Sequence, residues 1–224
     1  MVASILSNAC HVFANDRELR ESSRCSSIFR FFERKYHLPH EILHSIALQE
    51  SRKSHSQYKI SVVWPWTVGV QGQGFYFATR QEAVRFTREQ LRSGQTNIDV
   101  GCMQINLKHH PGAFKNLDQA FLPQYNVNYA ASLLRQHYDK HKDWDAAIGH
   151  YHSSTAHLAH IYQARVKKIS RDMPEYKSEL AKYIYSARYA LHSDKRADYA
   201  KLESVRKRQR KAVQYDELFL QRVN

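Results

Sequence analysis

Apolar residues recur at intervals of three and four through Ile28, Phe31 and Phe32, and again through Ile42, Leu43, Ile46 and Ala47. That spacing gathers side chains on one face of a helix. Pro39 stands between the two runs, and proline suits a first helical turn because its missing N–H would have no partner there. Two helices are therefore expected, the second over residues 39–50. From Tyr58 to Phe77 the texture becomes β-branched and aromatic, "YKISVVWPW" and "FYF" around the turn-like "GVQGQG", which reads as a short β-hairpin or an aromatic loop. Thr79 and Glu82 have the spacing of a capping box, and "EAVRFTREQL" stops just before Gly94, so a third helix is predicted over 80–92.

Further along, "HHPG" is a turn. "YNVNYAASLLRQHYDKH" is a strong helix whose Val127, Ala130, Ala131, Leu133 and Leu134 share a broad apolar face. "DWDAAIGHYHS" is a shorter one, and residues 157–171 and 175–222 are helical by pattern. The chain contains no long linker, low-complexity tract or internal repeat. It reads as mainly α, with a small hairpin or loop lobe. Residues 97–106, "NIDVGCMQIN", fit no single pattern: Ile, Val, Met and Ile alternate with a Gly, a Cys, an amide and an acid. Either this is a core segment or Gln104 is held in a site.

With 224 residues, 42% hydrophobic and 12% aromatic, the chain can bury one substantial core. No stretch approaches the roughly 18–20 apolar residues of a membrane-spanning helix, so a soluble or peripherally attached protein is expected. The net charge of +13 is uneven, with +2 from residues 1–40, +4 from 41–165 and +7 from 166–224. Such a balance suits a polyanionic partner, whether nucleic acid, anionic lipid or an acidic cell-wall polymer. The first 14 residues, "MVASILSNACHVFA", have the apolar character and small-residue ending of a secretory signal, but they lack an early Lys or Arg and are interrupted by Asn8 and His11. The signal is incomplete. Cys10, Cys25 and Cys102 permit one disulfide with one thiol over; removal of residues 1–14 would leave Cys25 and Cys102 as an even pair.

Two stretches of the second helix carry chemistry. "HEILH", His40 to His44, matches the zinc-protease pattern of two imidazoles one helical turn apart with a carboxylate as base. His40 directly follows Pro39, and no downstream residue stands out as a third ligand. Exposed, partly packed histidines are the plainer reading, and neither a metal nor a cofactor is expected. The helix ends in "IALQESR". A carboxylate where an apolar helix stops can have a buried base and oxygens at a cleft, which raises its pKa and suits it to act as an acid near neutrality. Glu50 is thus a candidate, set against an ordinary solvated helix-terminal Glu.

Taken in order, "LPHEILHSIALQESR", "GCMQIN", "YNVNYAASLL" and "WDAAIGHYHS" resemble the lytic transglycosylase SLT family of lysozyme-like enzymes, over roughly residues 25–165. The likeness is strongest to small cell-wall lyases associated with secretion or conjugation systems. It implies an α+β lysozyme-like catalytic domain over 25–171 with an insertion lobe at 58–97, a leading segment 1–24, and a basic helical extension 172–224. It implies that Glu50 is the single catalytic acid/base, that Ser51 begins the turn beside it, that Met103 and Gln104 line the sugar groove, and that Tyr151 orients Glu50 or the substrate. It also implies a Cys25–Cys102 disulfide. Peptidoglycan glycan strands would be the substrate, an envelope-spanning secretion or conjugation apparatus a partner, and the periplasm or cell envelope the location, with no specific nucleic acid and no transmembrane segment.

The family's usual Ala-Tyr-Asn is here His150-Tyr151-His152, so His152 stands where an Asn would meet the substrate. Trp64, Trp66, Phe75 and Tyr76 in the insertion are more readily lobe core than sugar platforms. An ordinary glycosidase needs two carboxylates. Glu41, nine residues before Glu50, falls on the opposite helix face at about 100° per residue, and Asp99 is the other acid close to a motif. A single carboxylate fits a lyase giving 1,6-anhydro ends. The alternatives are a lysozyme-type hydrolase on the same fold, or an inactive basic helical protein that uses "KLESVRKRQRKAVQYDELF" to bind nucleic acid or membrane.

Overall fold

A computed structural model describes residues 2–185, with side chains from Arg17 onward. Residues Arg17–Ala181 form one compact unit, to which the following account of packing belongs. Helices α1 (Val2–Lys35), α2 (Ile42–Ser51), α3 (Arg80–Arg92), α4 (Leu117–Ala120), α5 (Pro123–His141) and α6 (Trp144–His152) are followed by a helix over residues 156–185, here α7. Strands β1 (Arg52–Ser54) and β2 (Ser61–Val63) make a two-stranded antiparallel sheet. Strands β3 (Thr67–Val70), β4 (Gln73–Tyr76), β5 (Ile98–Val100) and β6 (Ile105–Asn106) make a second, in the order β4-β3-β5-β6. The architecture is mainly α with small antiparallel sheets, of lysozyme-like type.

Several elements form for local reasons. Thr79 caps α3 by accepting from the Glu82 N–H while Glu82 returns the bond to the Thr79 N–H, which satisfies two N–H groups that the helix leaves unpaired. Helix α5 opens with Pro123 and ends at Lys142 in the left-handed conformation, and Asp143 caps α6 through the Ala146 N–H. The core lies where α2, α5, α6 and α7 meet the β5–β6 turn. Leu43, Ile46, Met103, Val127, Ala130, Ala131, Leu134, Ala147 and Val166 are all sealed from solvent. Small residues let the helices approach: a Cβ on Gly149 of α6 would lie 3.0 Å from the Ala159 carbonyl oxygen of α7.

Other elements differ from the sequence expectation. Helix α2 begins at Ile42 rather than Pro39, because Glu41 takes a left-handed φ of 66° and the Leu43 N–H finds its partner in the Glu33 carboxylate of α1, 3.0 Å away. A side chain from the preceding helix thus sets the starting point. Pro174 does not break the last helix, which runs unbroken from 156 through the gap expected at 172–174; residues 186–222 of that expected helix lie outside the described residues. The hairpin at 58–77 is β3–β4, turned through Gln71 and Gly72, both at positive φ, as a two-residue hairpin turn requires.

The insertion is joined to the strand that follows it. Strand β3 pairs with β5 as well as β4, setting Gly69 opposite Asp99. Trp64 and Trp66 are buried in it, their indole N–H groups donating to the Phe77 carbonyl (2.8 Å) and to Glu21 (3.0 Å). Phe75 packs on Phe86, and Tyr76 remains exposed with its hydroxyl on the Arg52 carbonyl.

Candidate active site

The segment "NIDVGCMQIN" is strand β5, a four-residue turn and strand β6. Gly101 has a φ of +80°, and a Cβ there would stand 2.4 Å from the Asn126 amide nitrogen, so glycine is required twice over. Asn126, buried on α5, donates to the carbonyls of Val100 (2.9 Å) and Ala120 (3.1 Å) and accepts from the Met103 N–H (2.9 Å). The Ser51 hydroxyl of α2 lies 2.8 Å from the Cys102 carbonyl oxygen. From α6, the Tyr151 hydroxyl donates to the Met103 carbonyl at 2.8 Å. A disulfide joins Cys102 to Cys25 of α1, with the Cα atoms 6.6 Å apart. Four helices therefore hold one turn, and the turn fixes β5 beside the end of α2.

Glu50 occupies that end. It retains some solvent contact as a residue, but the protein packed around its carboxyl withholds water from the charged form. Burial first, and then the negative charge of Asp99, push its pKa up to about 7 against the opposing hydrogen bond from Tyr162. The Tyr162 hydroxyl of α7 donates to Glu50 Oε1 at 2.5 Å. Asp99 has its own pKa raised by burial, while a hydrogen bond from Asn106 and the nearby His109 and His152 restrain the rise. Glu50 and Asp99 line one cleft of about 540 Å³. His152 lies on its wall with its ring flat on Tyr162, centroids 4.6 Å apart and planes within 4°. Such a site holds a carboxylic acid half-protonated near neutrality beside a second acid, an arrangement suited to proton donation and return.

The structure separates the residues expected in the groove. Ser51 and Met103 are wholly buried, so neither lines it: Ser51 turns inward to the Cys102 carbonyl, and Met103 sits in the core with its backbone held by Asn126 and Tyr151. Gln104 does line the cleft, at a φ of 46°, but its amide nitrogen braces the turn through the carbonyls of Gly101 (2.8 Å) and Thr67 (3.2 Å). Tyr151 also lines the cleft; its hydroxyl goes to Met103 rather than to Glu50. Tyr162 and Asn126, not singled out from the sequence, do the holding. One tyrosine among 14, 112 positions from Glu50, carries no sequence signal, whereas Asn126 stood inside the Asn-led helix motif.

The H-E-x-x-H reading fails on geometry. His40 precedes α2 and accepts from Arg30 at 2.7 Å, whereas His44 is buried between Phe29 and Tyr176. Glu41 forms an ion pair with Lys177 at 2.5 Å. With His40 outside the helix, the two imidazoles are not one helical turn apart.

Among known families, the transglycosylase SLT domain matches the chain over residues 27–173. No curated protein and no solved structure matches it.

Proposed function

The chain belongs to the transglycosylase SLT-domain family, whose members act on peptidoglycan, and from that premise we propose that it cleaves the β-1,4 bond between N-acetylmuramic acid and N-acetylglucosamine without water. Glu50 is the acid and then the base. Protonated, it donates to the glycosidic oxygen as the bond to the muramoyl C1 breaks, and the substrate's own 2-acetamido oxygen supports the positive carbon. The Glu50 carboxylate then takes the proton from the C6 hydroxyl as O6 bonds to C1. The products are a free 4-hydroxyl on N-acetylglucosamine and a 1,6-anhydromuramoyl end. The acid is restored and no water is consumed.

The observation that carries this reading is the Glu50 carboxyl itself, facing the cleft, poised at about 7 by burial and held by Tyr162. A carboxylic acid with that poise can give a proton and take one back near neutral pH. Tyr162 directs the proton-bearing oxygen by occupying the other, and His152, flat on Tyr162, fills the place of the family's Asn at the cleft wall. The Cys25–Cys102 disulfide supports an oxidising compartment, hence the periplasm or cell envelope. Among the described residues no helix is long and apolar enough to cross a membrane.

Asp99 gives a specific ground for a second reading. It shares the cleft with Glu50, and a second carboxylate able to activate water would make the enzyme a hydrolase of lysozyme type. Mass spectrometry of the fragments released from purified peptidoglycan separates the two. Anhydro products one water lighter than hydrolytic ones, absent with Glu50→Gln, are expected. Reducing ends would establish the hydrolase, and release of fragments by the variant at the parent rate would remove Glu50 from the chemistry.

A further inference from the structure

Two carboxyl groups and five imidazoles line the cleft, and the imidazoles are arranged. His137 of α5 and His150 of α6 lie with ring centroids 6.2 Å apart and planes within 23°. His141, one helical turn beyond His137, stacks on His150 at 4.2 Å and 7°. His109 and His110 follow β6; the His110 ring nitrogen Nδ1 and the Tyr129 hydroxyl are hydrogen-bonded across 3.0 Å. His152 stands with Glu50 and Asp99. The remaining rings form a bank of their own that the bond-breaking chemistry does not use.

The charges that face this bank favour an anion. His137 faces His150, His141, Lys140 and His110; His141 faces His150 and Lys140; His110 faces His109. Asp99 lies against His109 and His152, and Arg165 of α7 faces His152. Burial and then the mutual repulsion of these cations hold His137, His110 and His141 below the usual imidazole range. Those three rings are thus biased toward the neutral form, by burial first and then by crowding, and each proton gained makes the next harder to add. An anion placed in the cleft removes that penalty. By linkage, its binding takes up protons and strengthens as the pH falls.

Resting on the transglycosylase reading, we propose that the bank formed by His109, His110, His137 and His150 is the seat for the carboxylate-bearing stem peptides of the glycan strand, held as imidazolium–carboxylate pairs. The same cleft treats an uncharged sugar chain with indifference to pH. The sugars meet Glu50 and the stem peptides meet the histidines.

The test measures binding to the non-cleaving Glu50→Gln chain by titration calorimetry at pH 5.5 and pH 8. One probe is chitohexaose, a neutral chain of N-acetylglucosamine; the other is a glycan strand carrying its stem peptides. The peptide-bearing strand should bind about tenfold tighter at the lower pH, the worth of one good charge pair, while chitohexaose changes by less than about twofold. Adding His137→Gln and His150→Gln together should abolish the gain at the lower pH. A gain that survives in that variant, or an equal gain with chitohexaose, overturns the inference alone. Failure of both probes to bind at either pH overturns the transglycosylase reading along with it. The imidazole proton resonances of the unmodified bank give a readout independent of the variant's folding: they should titrate at higher pH with the peptide-bearing strand present, and unmoved titrations overturn the proposal.

Discussion

The Tyr162 hydroxyl donates a 2.5 Å hydrogen bond to Oε1 of Glu50, joining residues 112 positions apart. The bond favours the ionised carboxyl, while burial and the charge of Asp99 favour the neutral one. Burial wins, and the carboxyl is left with a pKa of about 7. Each of these opposing influences can be removed singly.

Tyr162→Phe removes the influence that lowers the Glu50 pKa. Activity that requires protonated Glu50 falls as the pH rises through about 7, so in the variant this alkaline limb of kcat/KM moves to higher pH. With the carboxyl no longer directed, turnover drops roughly tenfold to a hundredfold. A pH–rate profile on solubilised peptidoglycan reads both effects; a limb displaced to lower pH would contradict the account.

Asp99→Asn acts with the opposite sign. It keeps an oxygen for Asn106 but removes the negative charge that raises the Glu50 pKa, so the alkaline limb moves to lower pH while anhydro products continue to form. Loss of all turnover in this variant would instead mark Asp99 as a required second carboxylate.

Glu50→Gln should also make the protein more stable. The folded pKa of Glu50 is raised, so stability is full below the unfolded value of 4.5, declines as the pH climbs to about 7, and is flat beyond. The amide has no proton to lose and can still accept from Tyr162. Urea denaturation should find the variant more stable by on the order of 2–3 kcal/mol at pH 8 and nearly equal to the parent at pH 4.5. A difference independent of pH would refute the assignment.

His44 gives an acid weakness of opposite sense. Burial first, then the charge of Lys177, depress its pKa to about 4 against the pull of Glu41. It folds neutral, so the stability it contributes is present above 6.5 and is lost as the pH falls toward 4, by on the order of 2–3 kcal/mol. His44→Leu should flatten that part of the acid limb in denaturation experiments at pH 7 and pH 4.5; an acid limb as steep as the parent's would count against it.

Gly101→Ala and Asn126→Ala address the turn. The first forces a Cβ onto Asn126 at positive φ; the second leaves the Met103 N–H and the Val100 and Ala120 carbonyls without their partner. Each should cost about 2–4 kcal/mol. Because the clash in the first is with the side chain deleted in the second, the double variant should cost less than the two together. Strict additivity in equilibrium denaturation would show that the clash is not what glycine avoids.

Helices α3, α5 and α6 were legible in the chain because their signals are local. Apolar residues three and four apart and the Thr79–Glu82 cap act between near neighbours, and the helical character of the fold follows from them. The ordered motifs likewise pointed to Glu50 as the residue to examine. Strands β5 and β6 were not legible: three and two residues long, they are too short to establish an alternation, and pairing with β3 defines them. The start of α2 was decided by Glu33, a neighbour across the α1–α2 junction. The character of Glu50 belongs to assembly entirely. A carboxyl's proton affinity depends on how much water is excluded and on which groups stand within a few ångströms, and here Tyr162 and Asp99 arrive from distant parts of the chain. The same convergence turned Ser51 and Met103 away from the cleft and brought the histidines of two helices and a loop to its wall.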